Sequence, residues 1–362
     1  MLSESAPDVL DLTVGDPDLP APDCVRAAID ALVRGDSVTL HSYTTAAGLP
    51  SLRQRIADDR NTRFGTDVDP NRIYVTCGGA AGLAIALRAV LEPGDQVLVC
   101  APVSTEYRLL AEAAGASVTV IPPAEDLRPD PETLEAALGD RTRAVILGVP
   151  NTLSGVLPGE ETLLALTGAL RRHEEKLGRP VYLLSDEPYR ELLYDGAEAS
   201  CVLRSYDDTI LCCSFSKTLA IPGERLGFLA VGSHMTDGGE GYASIAGAGR
   251  AMGYVNPPSL IQRTVERCLG SAADVSAYRE NRDALLAGLR DAGYTCAIPA
   301  AGFALFFRSP EPDAQIFCAR AEQSGLLLSP GDGYACPGWV RAAFGVPRDA
   351  LERAIAILSE LI

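Results

Sequence analysis

The segment Ser214–Arg225 contains hydroxyl and cationic side chains, and it begins at the end of an apolar run, ILCCSFS. Lys217 follows that run at once, where burial favours the uncharged amine that Schiff-base chemistry requires. The hydroxyls of Ser214 and Ser216, together with the guanidinium of Arg225, have the chemistry to bind a phosphate. The alternative is a solvated loop lysine, which this segment alone does not exclude.

A carboxylate and a phenol follow a second apolar run, VYLLS. Asp186 ends that run, so we expect it to act either as a helix cap or as the partner of a buried cation. A protonated pyridine nitrogen is one such cation. Tyr189 lies three residues further on and is expected to reach the same site.

Small residues, Gly78–Gly82, separate the apolar run Ile73–Cys77 from a helical pattern. Backbone N–H groups at a helix N-terminus can approach a phosphate where side chains are small, which makes Gly79 and Ala80 candidate contacts. The turn lacks the GxGxxG spacing and the acidic ribose binder of a dinucleotide site.

Arg341 lies inside another apolar run, WVRAAF. A guanidinium there is unfavourable unless it meets an anion. A substrate carboxylate would suit it because the two groups can form paired hydrogen bonds. An internal ion pair is the alternative.

Seven apolar runs must position these residues. They are IYVTC, VLVC, VTVIP, AVILGVP, VYLLSDE, ILCCSFS and GFLAVG. Runs that are apolar throughout are typical of strands covered on both faces, which predicts an α/β fold with a mainly parallel, seven-stranded sheet covered by helices. Functional residues of such sheets gather at the carboxyl ends of the strands.

The last third of the chain has a different pattern. A long helical pattern runs from Pro258 to about Leu289, followed by GFALFF, LLLSP, VRAAF and a final helix from about Arg348. This pattern predicts a smaller α+β domain to which the first residues of the chain also belong. We therefore expect a large domain at 35–255 and a small domain formed by 1–34 and 256–362.

The composition and charge of the chain bear on which binding partners and which cellular location we expect. The 362 residues carry a formal charge of −17, which disfavours nucleic acid. The start has no signal-peptide pattern, and no apolar run reaches the roughly 18–20 residues of a membrane span. The 10 cysteines form no CxxC pair and the 3 histidines are far apart, so we expect reduced thiols, a cytoplasmic location and no metal site.

In this order and spacing, the segments resemble the fold-type I enzymes that use pyridoxal 5'-phosphate (PLP), specifically the class I/II aminotransferases, over almost the whole chain. The resemblance implies that Lys217 forms the internal aldimine with PLP and then moves the substrate's α-proton. Asp186 would pair with the pyridine nitrogen, and Tyr189 would hydrogen-bond the 3-hydroxyl oxygen. It also implies that the phosphate is held by Gly79, Ala80, Ser214, Ser216 and Arg225. The substrate would be bound by Gly15 and Arg341. Finally, it implies a homodimer with shared active sites, in which Tyr43 reaches the phosphate of the partner subunit.

Two positions depart from the family pattern. Thr152 stands where the family has an asparagine that also holds the 3-hydroxyl oxygen, and the neighbouring Asn151 is a possible substitute. Ser104 stands where an aromatic ring usually stacks on the pyridine, and Tyr107 is the ring that could fill the space. Ordinary drift and a reshaped site both account for these changes.

The family resemblance predicts an aminotransferase that acts at the α-carbon of an L-amino acid and passes its amino group to a keto acid. Because the fold does not fix which bond breaks, a C–S lyase working by β-elimination stays open. So does a decarboxylating or oxidative deaminase acting on a modified, cysteine-like amino acid in specialised metabolism. A ligand-binding protein without turnover is the alternative from another class.

Overall fold

The structure is a computed structural model that describes residues 9–14, 19–236 and 238–362. Its strands are β1 (Leu10–Asp11), β2 (Ile73–Thr76), β3 (Gln96–Cys100), β4 (Ser117–Ile121), β5 (Thr142–Gly148), β6 (Tyr182–Asp186), β7 (Thr209–Ser214), β8 (Gly227–Val231), β9 (Ala304–Arg308), β10 (Leu326–Leu327), β11 (Ser329–Pro330) and β12 (Trp339–Ala343). Its helices are α1 (Asp23–Val33), α2 (Ser37–His41), α3 (Pro50–Phe64), α4 (Gly79–Val90), α5 (Thr105–Ala113), α6 (Pro131–Ala137), α7 (Glu160–Leu177), α8 (Val202–Ser205), α9 (Phe215–Thr218), α10 (Gly238–Ala251), α11 (Ser259–Cys268), α12 (Ser276–Asp291), α13 (Ala314–Gln323) and α14 (Arg348–Glu360).

A seven-stranded sheet in the order β2-β8-β7-β6-β5-β3-β4 forms the centre of the molecule. Only β8 runs antiparallel to its neighbours, so the predicted mainly parallel sheet is confirmed. Apolar side chains of the strands pack on α4, α5 and α10 on one face. On the other face they pack on α1, α3, α6, α7, α8 and α11. Burial on both faces explains why the strand sequences are apolar throughout.

A three-stranded antiparallel sheet, β11-β12-β9, and the parallel pair β1-β10 lie beside a second core. Buried side chains from α12, α13 and α14 supply much of that core, among them Leu285, Phe317 and Leu351. This part of the chain has the α+β character that the sequence predicts.

The long helix predicted up to Leu289 is two helices, so that prediction is wrong in its continuity. Helix α11 ends at Cys268, and Gly270 then adopts a positive φ of 88°. The Ala273 N–H donates to the carbonyl of Thr218 at 2.7 Å. The break therefore ties the loop between the helices to the residue that follows Lys217.

The first described residues divide between the two cores. Strand β1 pairs with β10, whereas α1 packs against α11 and shares a core with β2 and β8. The division into domains at 35–255 and 1–34 with 256–362 stays a prediction. Within the described ranges, no helix combines the length and apolar character needed to cross a membrane.

Candidate active site

A cavity of about 360 Å3 lies where the carboxyl ends of the central strands meet. Residues at the ends of β6 and β7, and in the turns after β2, β3 and β5, form its wall. It brings together eleven of the predicted residues: Gly79, Ala80, Ser104, Tyr107, Thr152, Asp186, Tyr189, Ser214, Ser216, Lys217 and Arg225.

One part of the cavity wall has the chemistry to bind an anion. The Ser214 and Ser216 hydroxyls lie 3.0 Å apart, and Arg225 Nη1 donates to the Ser216 hydroxyl at 3.4 Å. Gly78 has a φ of 92°, and a Cβ there would lie 2.5 Å from Arg225 Nη2. A Cβ added to Gly79, the first residue of α4, would lie 3.3 Å from the Ser214 Cβ. Glycine at both positions keeps the guanidinium, the hydroxyls and the start of α4 together, an arrangement that suits a phosphate.

The same cavity wall holds a carboxylate that favours a cationic partner. The Tyr107 hydroxyl donates to Asp186 Oδ2 at 2.6 Å and lies 3.1 Å from Thr152 Oγ1. Burial raises the pKa of Asp186 to about 6, against the Tyr107 hydrogen bond, which lowers it. The pKa of Tyr107 itself is raised well above its ordinary value, first by burial and then by Asp186. A protonated ring nitrogen would compensate the buried negative charge.

Lys217 lies in the short helix α9 and lines the same cavity. Its Nζ is 5.8 Å from the centre of the Phe303 ring. The Tyr189 ring meets the same Phe303 edge-on, with ring centres 5.3 Å apart. Phe303 precedes β9, so the second core supplies an apolar wall beside the amine and the phenol.

Asn151 is not among the described residues that line the cavity, and its role as a substitute cofactor contact stays a prediction. Its Nδ2 donates to the Pro102 carbonyl, and its Oδ1 accepts hydrogen bonds from the Leu153 and Ser154 backbone. These bonds fix the loop after β5 and engage the amide oxygen and one of the two Nδ2 hydrogens. Ser104 caps α5 by accepting from the Glu106 N–H at 3.3 Å, which gives this serine a local role that an aromatic ring could not perform.

Arg341 and Tyr43 are described but are not among the residues that line this cavity. Arg341 in β12 is 8% exposed, donates through Nη1 to the Thr13 carbonyl at 2.8 Å and has a buried Nε with no hydrogen-bond partner. Among the described residues no carboxylate lies within ion-pair distance of it, in contrast to the internal ion pair considered above. Tyr43 is 94% exposed. Gly15 lies outside the described residues.

Sequence reasoning missed Phe303 and six residues of the cavity wall, namely Leu83, Glu106, Leu110, Leu153, Pro188 and Pro222. Glu106 is the ionisable one. An acidic residue in the first turn of a helix usually indicates a partner of the helix dipole, so its type gave no signal of a site.

Comparisons with known proteins agree with this geometry. The sequence profile "Aminotransferase class I and II" matches residues 7–358. A probable aspartate/prephenate aminotransferase of Thermus aquaticus is 30% identical over 361 residues, covering 96% of this chain and 90% of that protein. An LL-diaminopimelate aminotransferase of Nitratidesulfovibrio vulgaris is 29% identical, covering 98% and 92%.

Solved structures agree as well. An amino transferase from Eubacterium rectale superposes with a TM-score of 0.96 at 39% identity, covering 98% of this chain and 90% of that one. The aspartate aminotransferase of Thermus thermophilus with maleate gives a TM-score of 0.85 at 27% identity, covering 98% and 92%.

Proposed function

This chain belongs to the class I and II aminotransferases, and we propose that it transfers amino groups with PLP held in the cavity described above. The single observation that carries the proposal is the meeting of an amine, a buried carboxylate and an anion site in one cavity, as Lys217, Asp186 and the cluster around Arg225. No comparison favours an eliminating lyase.

The residues present fit PLP at each of its polar groups. Ser214, Ser216 and Arg225, with the start of α4, would hold the phosphate. Asp186 would accept a hydrogen bond from the pyridine nitrogen and keep it protonated. Tyr189 would donate to the 3-hydroxyl oxygen.

When bound, PLP supplies an aldehyde for the substrate amine and a ring that delocalises the electron pair left when the α-proton is lost. The chain's own residues direct that chemistry. We assign to Lys217 Nζ the attachment of the cofactor and then the movement of the proton at the substrate α-carbon. Arg341 would bind the substrate α-carboxylate through the Nε that has no partner, because a buried guanidinium N–H favours an anion.

We further propose a homodimer in which Tyr43 reaches the partner's cofactor site. Tyr43 is almost fully exposed, and the Asn256 side chain donates to the carbonyl of the adjacent Thr44. Met252 and Tyr254, close to Asn256 in sequence, are also exposed apolar residues. Exposed apolar residues on neighbouring segments are typical of an interface.

The 10 cysteines are all unpaired, which supports a cytoplasmic location.

The test uses the scarcity of lysine, since the chain has only Lys176 and Lys217. Protein reconstituted with PLP is reduced with borohydride, digested and mapped by mass spectrometry. The pyridoxyl group is expected on Lys217, and Lys217→Ala should abolish both this modification and conversion of amino acid to keto acid. Lys176→Ala is the matched control, because Lys176 lies in the last turn of α7. A pyridoxyl group on Lys176, or full keto-acid formation by Lys217→Ala, would contradict the proposal.

A further inference from the structure

Among the described residues, Glu106 is the one charged side chain of the cavity wall that the proposed function leaves without a role. The other charged residues of the wall are Asp186, Lys217 and Arg225, which serve the cofactor in that proposal. Glu106 is the second residue of α5, between the cap Ser104 and Tyr107. In the proposed function the amino donor reacts at Lys217, so Glu106 lines the cavity that the donor enters.

Nothing in the described part of the chain neutralises Glu106. The nearest cation in sequence is Arg108, and it faces Glu112 at 4.0 Å, on the next turn of α5. The described residues show no ion pair with Glu106 itself. The Glu106 side chain is solvent-exposed. Its negative charge is one of the causes that raise the pKa of Asp186, so Glu106 acts electrostatically on a group inside the cavity.

Among the described residues of the cavity wall, the two cations, Lys217 and Arg225, serve the cofactor in the proposed function, and several other wall residues are apolar. Leu83, Leu110 and Leu153 line the same cavity. Ser104, which also lines the cavity, is smaller than the aromatic ring of the family pattern. A side chain made of methylene groups that ends in a cation suits this arrangement, since its stem contacts leucine while its charged end reaches a carboxylate. A side chain that ends in a carboxylate would meet like charge instead.

On these grounds we propose that Glu106 selects amino donors whose side chain ends in an ammonium or guanidinium group, and discriminates against dicarboxylic amino acids. This inference rests on the proposed function, because it places the substrate in the PLP cavity.

The experiment compares three amino donors of similar length, L-lysine, L-norleucine and L-glutamate, with the holoenzyme. One measurement is kcat/KM for the half-reaction. The second is the Kd, by calorimetry, of the α-methyl derivatives of the same amino acids, which bind without losing an α-proton. The variants are Glu106→Gln and Glu106→Arg. The matched control is Glu112→Gln, which makes the same change of charge on the same helix outside the cavity.

The wild type should prefer lysine to norleucine and norleucine to glutamate in both measurements. Glu106→Gln should reduce the preference for lysine over norleucine about fivefold, the strength of one solvent-exposed ion pair. Glu106→Arg should reverse the order of lysine and glutamate, and Glu112→Gln should change neither ratio.

A wild type that prefers glutamate to lysine would overturn the proposal. So would unchanged ratios in both Glu106 variants, checked for folding by circular dichroism. In those two cases the holoenzyme still forms and still reacts, so the proposed function survives. Protein that binds no PLP at Lys217 and converts none of the donors would overturn both.

Discussion

Replacing Asp186 by asparagine should stabilise the apoprotein while it weakens PLP binding. Burial raises the pKa of this carboxyl from 3.8 to about 6, so the ionised form is unfavourable in the folded chain without a cation. That rise corresponds to about 3 kcal/mol between the folded and unfolded states. The Asp186 side chain is partly exposed to solvent, so this free energy is an upper limit.

The direction in which stability changes with pH follows from which state, folded or unfolded, binds the proton more tightly. The folded pKa lies above the unfolded one, so the folded apoprotein binds the proton more tightly than the unfolded chain does. Its stability is therefore highest below pH 4 with respect to this group, falls as the pH rises through about 6, and is constant above. Asparagine has no such dependence, and its oxygen can still accept from the Tyr107 hydroxyl.

The assay is urea denaturation of the apoprotein at pH 5 and pH 8, at one protein concentration because a dimer's stability depends on it. The free energy of unfolding of the Asp186→Asn apoprotein should exceed that of the wild type by up to about 3 kcal/mol at pH 8 and by less at pH 5. PLP should bind at least about thirtyfold more weakly, because the pyridinium loses its buried partner. Asp208→Asn is the control. Asp208 is buried, at 3% exposure, and accepts hydrogen bonds from the Thr236 N–H and hydroxyl, so its replacement should destabilise the protein. A wild type as stable as Asp186→Asn at pH 8 would refute the reasoning.

Three further predictions concern the same site. Arg341→Ala should lower kcat/KM for the amino donor by about thirtyfold or more, chiefly through KM, and leave the Kd of PLP unchanged; equal loss of PLP binding would contradict its assignment to the substrate. Tyr107→Phe removes the hydrogen bond that lowers the pKa of Asp186, so the pH above which PLP binds tightly, read from titrations by absorbance, should rise by about one unit. Gly78→Ala should weaken PLP binding by about tenfold or more, because its Cβ displaces Arg225. Gly94→Ala is its control, since Gly94 has the same φ of 92° and nothing within 4 Å of the added atom.

The sheet was predictable because its signal is local. A strand buried on both faces needs apolar residues at every position, so each of the seven runs could be recognised without its neighbours. The convergence of Asp186, Ser214 and Lys217 followed, since parallel strands end at one edge. The break after Cys268 gave a weaker signal. A glycine within a helical pattern is often tolerated, whereas here Gly270 has a positive φ and the Ala273 N–H bonds to the distant Thr218 carbonyl, a contact that sequence does not reveal.

Side-chain roles at the wall depend on what lies across the cavity, which spacing does not reveal. Glu106 carries the sequence signature of an ordinary first-turn acid. Asn151 carries that of a cofactor contact, yet its amide holds a loop. In both cases the residue type is compatible with two roles, and only the three-dimensional neighbours distinguish them.

The same reasoning links the two departures from the family pattern. Tyr107 has a single hydroxyl hydrogen, and it is donated to Asp186 at 2.6 Å. The contact of 3.1 Å with Thr152 must then be a bond in which Thr152 donates and the Tyr107 oxygen accepts. Thr152 consequently donates its only hydroxyl hydrogen to Tyr107 and has none left for the 3-hydroxyl oxygen of PLP, which leaves that contact to Tyr189. Threonine at 152 thus supports Asp186, the carboxylate proposed to meet the ring nitrogen, through Tyr107, on the helix that Ser104 caps.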